Sequence, residues 1–393
     1  MSEEKLVPKL RFSGFDDEWN EVTLNDVATF SKGKGISKND ISNYGIECVR
    51  YGELYTKYNE MIYNIESKTD LDKNELKLSE KNDILIPCSG ETAIDLATAS
   101  CIQKDQVAIG GDITVIKTNQ YAPFITYYLN QKKTEIAKYA QGVSIVHLYP
   151  KDFKVMNIRI PSINEQKMII RLLEEITKKE QLLESKYQQY QEYKKYLMQQ
   201  IFTQKLRFDD NCQYKTKQVK DFLIESKIEG IDDINKRLTV KLNLKGITVR
   251  ESKTIEIEGA TKQFIRKTGQ FIYGKQNLHK GAFGIIPKEL DGYLTSSDIP
   301  SFDFKGGIEP KWFYYYFARK SFYEKLENLS TGTGSKRISP KEFLNIKIIV
   351  PEFKEQHKIV CLLEKFDEKI NGISNQIVQM NMFKKSLLQQ MFV

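Results

Sequence analysis

Apolar positions recur at alternating steps of four and three along two long stretches of the chain. The first series runs Ile169, Leu173, Ile176, Glu180, Leu183, Tyr187, Tyr190, Lys194, Leu197 and Ile201. The second runs Ile359, Leu363, Phe366, Ile370, Ile373, Ile377, Met380, Lys384, Leu387 and Met391. A seam held over more than four heptads predicts a coiled coil. No glycine or proline interrupts residues 162–210, and only Gly372 interrupts 352–393. Each helix of about 38 residues would be ~57 Å long at the α-helical rise. Three seam positions are polar: Glu180, Lys194 and Lys384. If the helices pack antiparallel with partners summing to 564, Glu180 faces Lys384 and Lys194 faces Ile370. A buried charge is costly without a partner, so Glu180 and Lys384 are expected to pair and fix the register. The alternative is that both reach solvent along their methylene stems.

Elsewhere the apolar runs are short. Residues 82–87 and 112–116 read as strands, as do 158–160, 270–273 and 348–350. Residues 124–129, and 311–317 after Pro310, begin helices. The aromatic cluster in the latter (Trp312, Phe313, Tyr314, Tyr315, Tyr316, Phe317) fits a core face better than a base-stacking platform. The fold class expected is α+β: two mixed globular regions joined by two long antiparallel helices.

The chain also repeats itself. Pro150-Lys151-Asp152-Phe153 returns as Pro340-Lys341-Glu342-Phe343. At the same offset Glu165-Gln166 meets Glu355-Gln356, and Lys194-Lys195 meets Lys384-Lys385. Residues 150–202 and 340–392 share 19 identities in 53 ungapped positions, far beyond chance. A shorter echo precedes each half: Lys9-Leu10-Arg11-Phe12 and Lys205-Leu206-Arg207-Phe208, then Leu24-Asn25-Asp26-Val27 and Val219-Lys220-Asp221-Phe222. The order is lead (1–18), variable region (19–149), shared segment (150–212), variable region (213–339), shared segment (340–393). The variable regions show little likeness. Joined end to end, "QQMFV" and "PKLRF" would rebuild the middle junction "QQIFTQKLRF". A pseudo-twofold, ring-like arrangement with neighbouring termini is therefore expected.

Composition narrows the function. With 60 Lys+Arg against 52 Asp+Glu the net charge is +8, which permits a nucleic-acid partner without requiring one. No apolar run approaches the ~18 residues that span a bilayer, and the N-terminus lacks a signal-peptide core, so a cytoplasmic protein is expected. Five cysteines without CxxC spacing are expected to be reduced and structural. Catalytic motifs fail. The run from Gly269 to Gln276 resembles a phosphate-binding loop, but Gln276 stands where Ser or Thr should ligate magnesium, and Phe271-Ile272-Tyr273 reads as a strand. No GxSxG, HExxH, Asn-Pro-Pro tetrapeptide or dinucleotide fingerprint occurs, and the three histidines are scattered. No catalytic residue and no metal site is assigned.

The loops 32–38 and 332–337 combine glycine, serine or threonine with lysine or arginine. They suit phosphate contact, where small residues bring the backbone close and cations neutralise charge. Each taken alone also fits a solvated turn. Residues 142–147 occupy in the first variable region the place of 332–337 in the second.

Two divergent regions of about 130 residues, each followed by a repeated "P-K-[D/E]-F…P…EQ…LLE" segment, resemble the specificity subunit of type I restriction–modification systems. The likeness includes "PKLRF…W" at Pro8–Trp19 and the stretch Gly292–Pro300; Tyr214 replaces the tryptophan in the second lead. The resemblance implies that each variable region reads one half of a split, asymmetric DNA site. It implies that the helices set the spacing and dock two methyltransferase subunits. It also implies that S-adenosylmethionine, ATP and magnesium belong to the modification and restriction subunits, none to this chain. Candidate DNA contacts are Lys32, Lys34, Lys38, Arg50, Tyr51, Ser144 and His147 in the first region. In the second they are Lys262, Arg266, Lys275, Gln276, Asn277, Lys280, Ser335, Lys336 and Arg337. A coiled-coil scaffold binding only protein, a nuclease with an unrecognised site, and a specificity chain serving a methyltransferase without a restriction partner are the competing readings.

Overall fold

The computed structural model describes residues 7–142, 146–251, 259, 261–330 and 337–393. Both heptad stretches form unbroken helices, Ile163–Phe202 and Phe353–Met391, with Gly372 accommodated in the second. Every seam residue of both series is buried or half-buried. Pairings descend along the second helix as they ascend along the first: Glu180 with Lys384, Lys194 with Asp367. The helices are therefore antiparallel, as the seam requires.

The expected Glu180–Lys384 pair forms, Nζ to Oε2 at 3.2 Å, with both side chains about five-sixths covered. Lys194 departs from expectation. Its ammonium does not stay against Ile370. It reaches Asp367 Oδ1 at 2.5 Å and lies 4.9 Å from the Tyr315 ring centroid, while Tyr315 Oη donates to the other carboxylate oxygen at 2.6 Å. A lysine stem spans about one helical turn, so the charge finds a carboxylate there instead of losing its hydration against isoleucine.

The chain divides into two compact units, Met1–Leu183 with Gln376–Val393, and Glu184–Asn375. The division falls within both long helices, not where shared and variable sequences meet.

The first unit contains β1 (Asn20–Thr23), β2 (Ala28–Lys32), β3 (Met61–Ile62), β4 (Ile84–Pro87), β5 (Ser100–Ile102), β6 (Ile113–Thr118) and β7 (Asn157–Ile160). Five of these form one sheet in the order β2-β6-β4-β5-β3, and β1 pairs antiparallel with β7. Helix α1 (Ala122–Gln131) opens with proline in its first turn. Its Phe124, Tyr127 and Tyr128 join Trp19, Phe153, Ile169, Leu173 and Leu387 in one core.

The second unit contains β8 (Tyr214–Gln218), β9 (Leu223–Ser226), β10 (Phe271–Tyr273), β11 (Phe283–Ile285), β12 (Ser301–Phe304), β13 (Lys347–Pro351) and α2 (Pro310–Phe317). Its main sheet runs β9-β12-β10-β11, and β8 pairs with β13. The aromatic run of α2 is core: Trp312, Phe313, Tyr315, Tyr316 and Phe317 are buried around Phe271, Phe343 and Leu363.

The repeated residues make the same bonds in each unit. Leu24 N–H donates to the Met156 carbonyl, and Val219 N–H to Ile346, both at 3.0 Å. Gln166 Oε1 accepts from Tyr121 N–H while its amide donates to the Pro161 carbonyl; Gln356 does the same with Glu309 and Pro351. This buried glutamine pins the start of α1 or α2 to the long helix, which is why Glu-Gln recurs. Tyr128 Oη accepts from Arg159 N–H, and Tyr316 Oη from Ile349 N–H. Leu10 N–H donates to the Gln390 carbonyl at 2.9 Å, as Leu206 N–H does to Gln200 at 3.1 Å. The lead thus lies against the C-terminal helix end as the junction sequences suggest. Glu165 holds Arg11 through two 2.8 Å bonds, raising the pKa of the guanidinium; its counterpart Glu355 accepts from Phe208 N–H instead.

Candidate nucleic-acid interface

In the first unit the main sheet brings several loops to one end. Gly33 N–H donates to the Ile113 carbonyl, Cys88 N–H to Asp112, Leu148 N–H to Cys88, and Gly110 N–H to Val49, all at 2.8–3.0 Å. Residues 32–38, 50–57, 88–92, 110–112 and 146–149 therefore converge. The approach is close: a Cβ on Gly33 would run into the Gly110 carbonyl oxygen, so only glycine fits. Between these loops lies a cleft of about 930 Å³ lined by Gly35, Lys38, Arg50, Tyr51, Lys57 and Gly111, among others.

Its floor holds Glu53, 3% exposed. The carboxylate accepts from Ser67 Oγ at 2.5 Å, Arg50 N–H at 3.0 Å and Lys57 Nζ at 3.1 Å. Burial pushes its pKa up, but these three donors outweigh burial and hold it below the ordinary value. Glu53 caps the turn that begins after Arg50 and stands 3.9 Å from the Arg50 guanidinium. It thus aims a half-buried arginine from the cleft wall.

Of the candidates in this unit, Lys38, Arg50 and Tyr51 line the cleft, and Lys34 is exposed beside it, its N–H on the Ile109 carbonyl. Lys32 and His147 form another cluster at the same sheet end. His147 stacks on Tyr149 at 5.9 Å and 13°, with Ser89 Oγ 3.1 Å from Nδ1. Lys32 Nζ lies 5.5 Å from the Tyr149 ring centroid. Ser144 lies outside the described residues.

The second unit builds the same end. Lys275 N–H donates to the Asp298 carbonyl, and Ile338 N–H to Lys275, both at 2.9 Å. These bonds match those of Cys88 with Asp112 and Leu148. Arg337 thereby occupies the place of His147, and it pairs with Asp298 at 3.2 Å while staying half exposed. A cleft of about 490 Å³ is lined by Ser226, Lys227, Arg266, Lys275, Ser339 and Lys341, among others. Gln276, Asn277 and Lys280 follow in the loop after β10, which closes through Gly274 N–H on Ala282 and a left-handed Gly281 (φ 72°). Gln276 and Lys280 are exposed there. The strand Phe271–Tyr273 inside the near-match to a phosphate loop is present, so that run is no flexible cradle. Lys262 stands apart: it precedes a strand of a different sheet and pairs with Glu229. Ser335 and Lys336 lie outside the described residues.

Arg266 needs correction as a free surface reader. It is 1% exposed, and its guanidinium donates to Thr295 Oγ1, Ser301 Oγ and the carbonyls of Ser226 and Ile299. Burial pulls its pKa down to about 10, which leaves it cationic at neutral pH. It ties strands together beneath the cleft.

The sequence reading missed Tyr149 and Lys151 in the cluster around His147, Lys57 in the first cleft, and Lys227 and Lys341 in the second. Lys151 and Lys341 were visible in the repeated Pro-Lys-[Asp/Glu]-Phe. The echo of 24–27 in 219–222 already sets Lys227 against Lys32, and the strand registers agree: Ser31 and Ser226, each one residue earlier, face Val115 and Ser301.

All five cysteines are free thiols, and burial raises the pKa of Cys48 to about 11 and Cys101 to about 12. Among the described residues no group of three or more His, Cys, Asp or Glu could hold a metal ion, and no helix is long and apolar enough to cross a membrane.

Comparison with known proteins agrees with this twofold construction. The family described as "Type I restriction modification DNA specificity domain" matches residues 16–192 and again 213–379. The "Type I restriction enzyme MjaVIII specificity subunit" of Methanocaldococcus jannaschii is 21% identical over 401 residues, covering 95% of this chain and 91% of that one. Among solved structures, the type I restriction–modification S subunit of M. genitalium superposes with TM-score 0.62 at 15% identity, covering 98% of this chain and 99% of the other. The HsdS subunit of Thermoanaerobacter tengcongensis gives 0.51 at 13% identity, covering 96% and 97%. These two likenesses concern the fold.

Proposed function

The chain belongs to the type I restriction–modification DNA specificity family, and on that premise we propose that each of its two units reads one half of a bipartite, asymmetric DNA site. The observation that carries the reading is the matched pair of sheet ends. The backbone frame is the same in both, with Lys32 matching Lys227. The side chains offered to a base differ: Arg50, Tyr51 and His147 in one, Lys275, Gln276, Asn277 and Arg337 in the other. Phosphate contacts hold a duplex in place whatever its sequence, whereas arginine, glutamine and asparagine discriminate base edges in the major groove. Two frames with different readers are what a split, unsymmetrical site demands.

In this reading the chain supplies sequence choice and no chemistry. The long helices set the distance between half-sites and dock two methyltransferase subunits. S-adenosylmethionine is held by those subunits, and ATP and magnesium serve a restriction subunit. A solved structure of similar fold, TM-score 0.55 at 12% identity, covering 96% of this chain and 98% of that one, is described as addressing complex assembly in the type I R-M system.

The test is methylation mapping. The chain is expressed with its methyltransferase subunit in a host lacking adenine methylation, and the genome is sequenced with modification detection. One split motif methylated on both strands is expected. A stable complex that leaves the genome unmethylated overturns the reading in favour of a scaffold.

A further inference from the structure

The tetrapeptide Pro-Lys-[Asp/Glu]-Phe is among the most faithfully kept parts of the repeat, and three of its four residues have structural work in both units. Pro150 and Pro340 open a short helix. Asp152 accepts from Tyr149 N–H at 3.1 Å, and Glu342 from Ser339 N–H at 2.7 Å, as capping residues do. Phe153 and Phe343 are fully buried in the two cores. The lysines have no such work. Lys151 and Lys341 are exposed, and among the described residues neither has a carboxylate within 4.0 Å. Each stands beside the sheet end where the other cations gather. Lys151 Nζ lies 5.8 Å from the centroid of the same Tyr149 ring that carries Lys32 Nζ at 5.5 Å. Lys341 lines one cleft with Lys227 and Lys275. Lys227 is two-thirds exposed and pairs at 3.0 Å with Glu225, a half-buried carboxylate of the same cleft wall with which an incoming phosphate would compete.

Like charges brought together repel, and among the described residues only Lys227 of these four lysines has a carboxylate within 4.0 Å, so each cluster gains stability from an anion among its cations. Lysine is a flexible point charge suited to phosphate rather than to base edges. Residues kept alike in two units whose other contents diverged must serve what the two units do alike, and on duplex DNA that is the backbone. We propose, resting on the DNA-recognition reading above, that Lys151 with Lys32, and Lys341 with Lys227, form twin clamps, each holding a backbone phosphate of its own half-site without regard to sequence. The exposed Tyr149 ring orients the ammonium groups in the first unit; Ser339 takes its place in the second.

The experiment measures binding of a labelled mixed-sequence DNA duplex by fluorescence anisotropy across a salt series. It uses the full chain assembled with its methyltransferase subunits. Removing one cation that neutralises a phosphate lowers the slope of log affinity against log salt by about 0.9. Lys151→Ala and Lys341→Ala should each lower it by about 1, and the double variant by about 2. Lys151→Arg with Lys341→Arg should keep the slope, and the methylated motif should be unchanged in every variant. Lys73→Ala with Lys288→Ala, exposed lysines of the two units outside the clefts, is the comparison. Alanine variants that melt like wild type and keep its slope overturn the clamps, as does a fall equalled by the Lys73/Lys288 variant. A changed methylated motif overturns them too, because the lysines would then be reading bases. Absence of any duplex binding by the wild-type assembly removes the DNA reading itself, and the clamps with it.

Discussion

Glu53 shows how a buried carboxylate is kept charged by its donors. Its folded pKa lies below the ordinary glutamate value of 4.5 because its donors outweigh burial. The unfolded chain therefore takes up the proton first as the pH falls. The stabilisation is fully present above about pH 5 and is lost as the pH drops through the folded value. Glu53→Gln keeps the shape but removes the charge that gathers Ser67, Lys57 and the Arg50 amide. It should cost about 2 kcal/mol at neutral pH and flatten the fall in stability below about pH 5, read by thermal melts. Identical acid dependence in the two proteins would remove Glu53 from this role. Sequence alone could not single it out, since Glu53 is one acid among many until folding places Ser67 and Lys57 around it. Arg266 fails to read from sequence for the same reason in reverse. An arginine beside a cluster of lysines looks like a surface contact, and only the pairing of three strands reveals it as a buried tie.

At the scale of elements the helices were the most legible feature, because a period of 3.5 residues repeated over forty positions leaves little else to form. The register followed from the polar seam positions, and Glu180 does meet Lys384. Among the described residues Glu180 Oε1 is buried without a hydrogen-bond partner, so this pair is closely enclosed and its loss is not easily offset by water. Glu180→Lys sets two ammonium groups against each other and should destabilise the chain by about 2–4 kcal/mol. Adding Lys384→Glu should restore most of that loss. Melting curves of the two single variants and the double decide it, and single variants indistinguishable from wild type would show that the seam's apolar residues alone hold the register. Lys194 marks the limit of such reasoning. Seam arithmetic treats side chains as fixed at their Cβ positions, but lysine reaches a turn away, and the attraction of Asp367 with the Tyr315 face decided its partner. The short strands were found where apolar runs were continuous, as at Ile84–Pro87. Two-residue strands such as Met61–Ile62 are made by neighbours, not by their own sequence.

Over the whole chain, the duplication seen in the sequence returns as duplicated bonds, and those bonds say which residues a recognition region must keep. Among the described residues the two largest cores are separate: one draws on residues up to 176 and from 380 onward, the other on residues 197–366. Among the described residues no hydrophobic side chain from 213–339 enters the first core. Replacing residues 213–339 with the matching region of another family member should therefore leave the first cleft intact. In methylation mapping, one half of the motif should change completely while the other half and the spacing stay the same. The replacement must still present a residue at each anchoring place: an aromatic at 312 against Phe202, a tyrosine at 316 for the Ile349 amide, and a backbone N–H at 309 for Gln356. A Tyr316→Phe exchange within the native region tests that requirement. It leaves the Ile349 amide without its acceptor, and should lower the melting temperature without altering the methylated motif. If the grafted chain instead changed both halves of the motif, the two units would not read DNA independently, and the twin-reader account would fall.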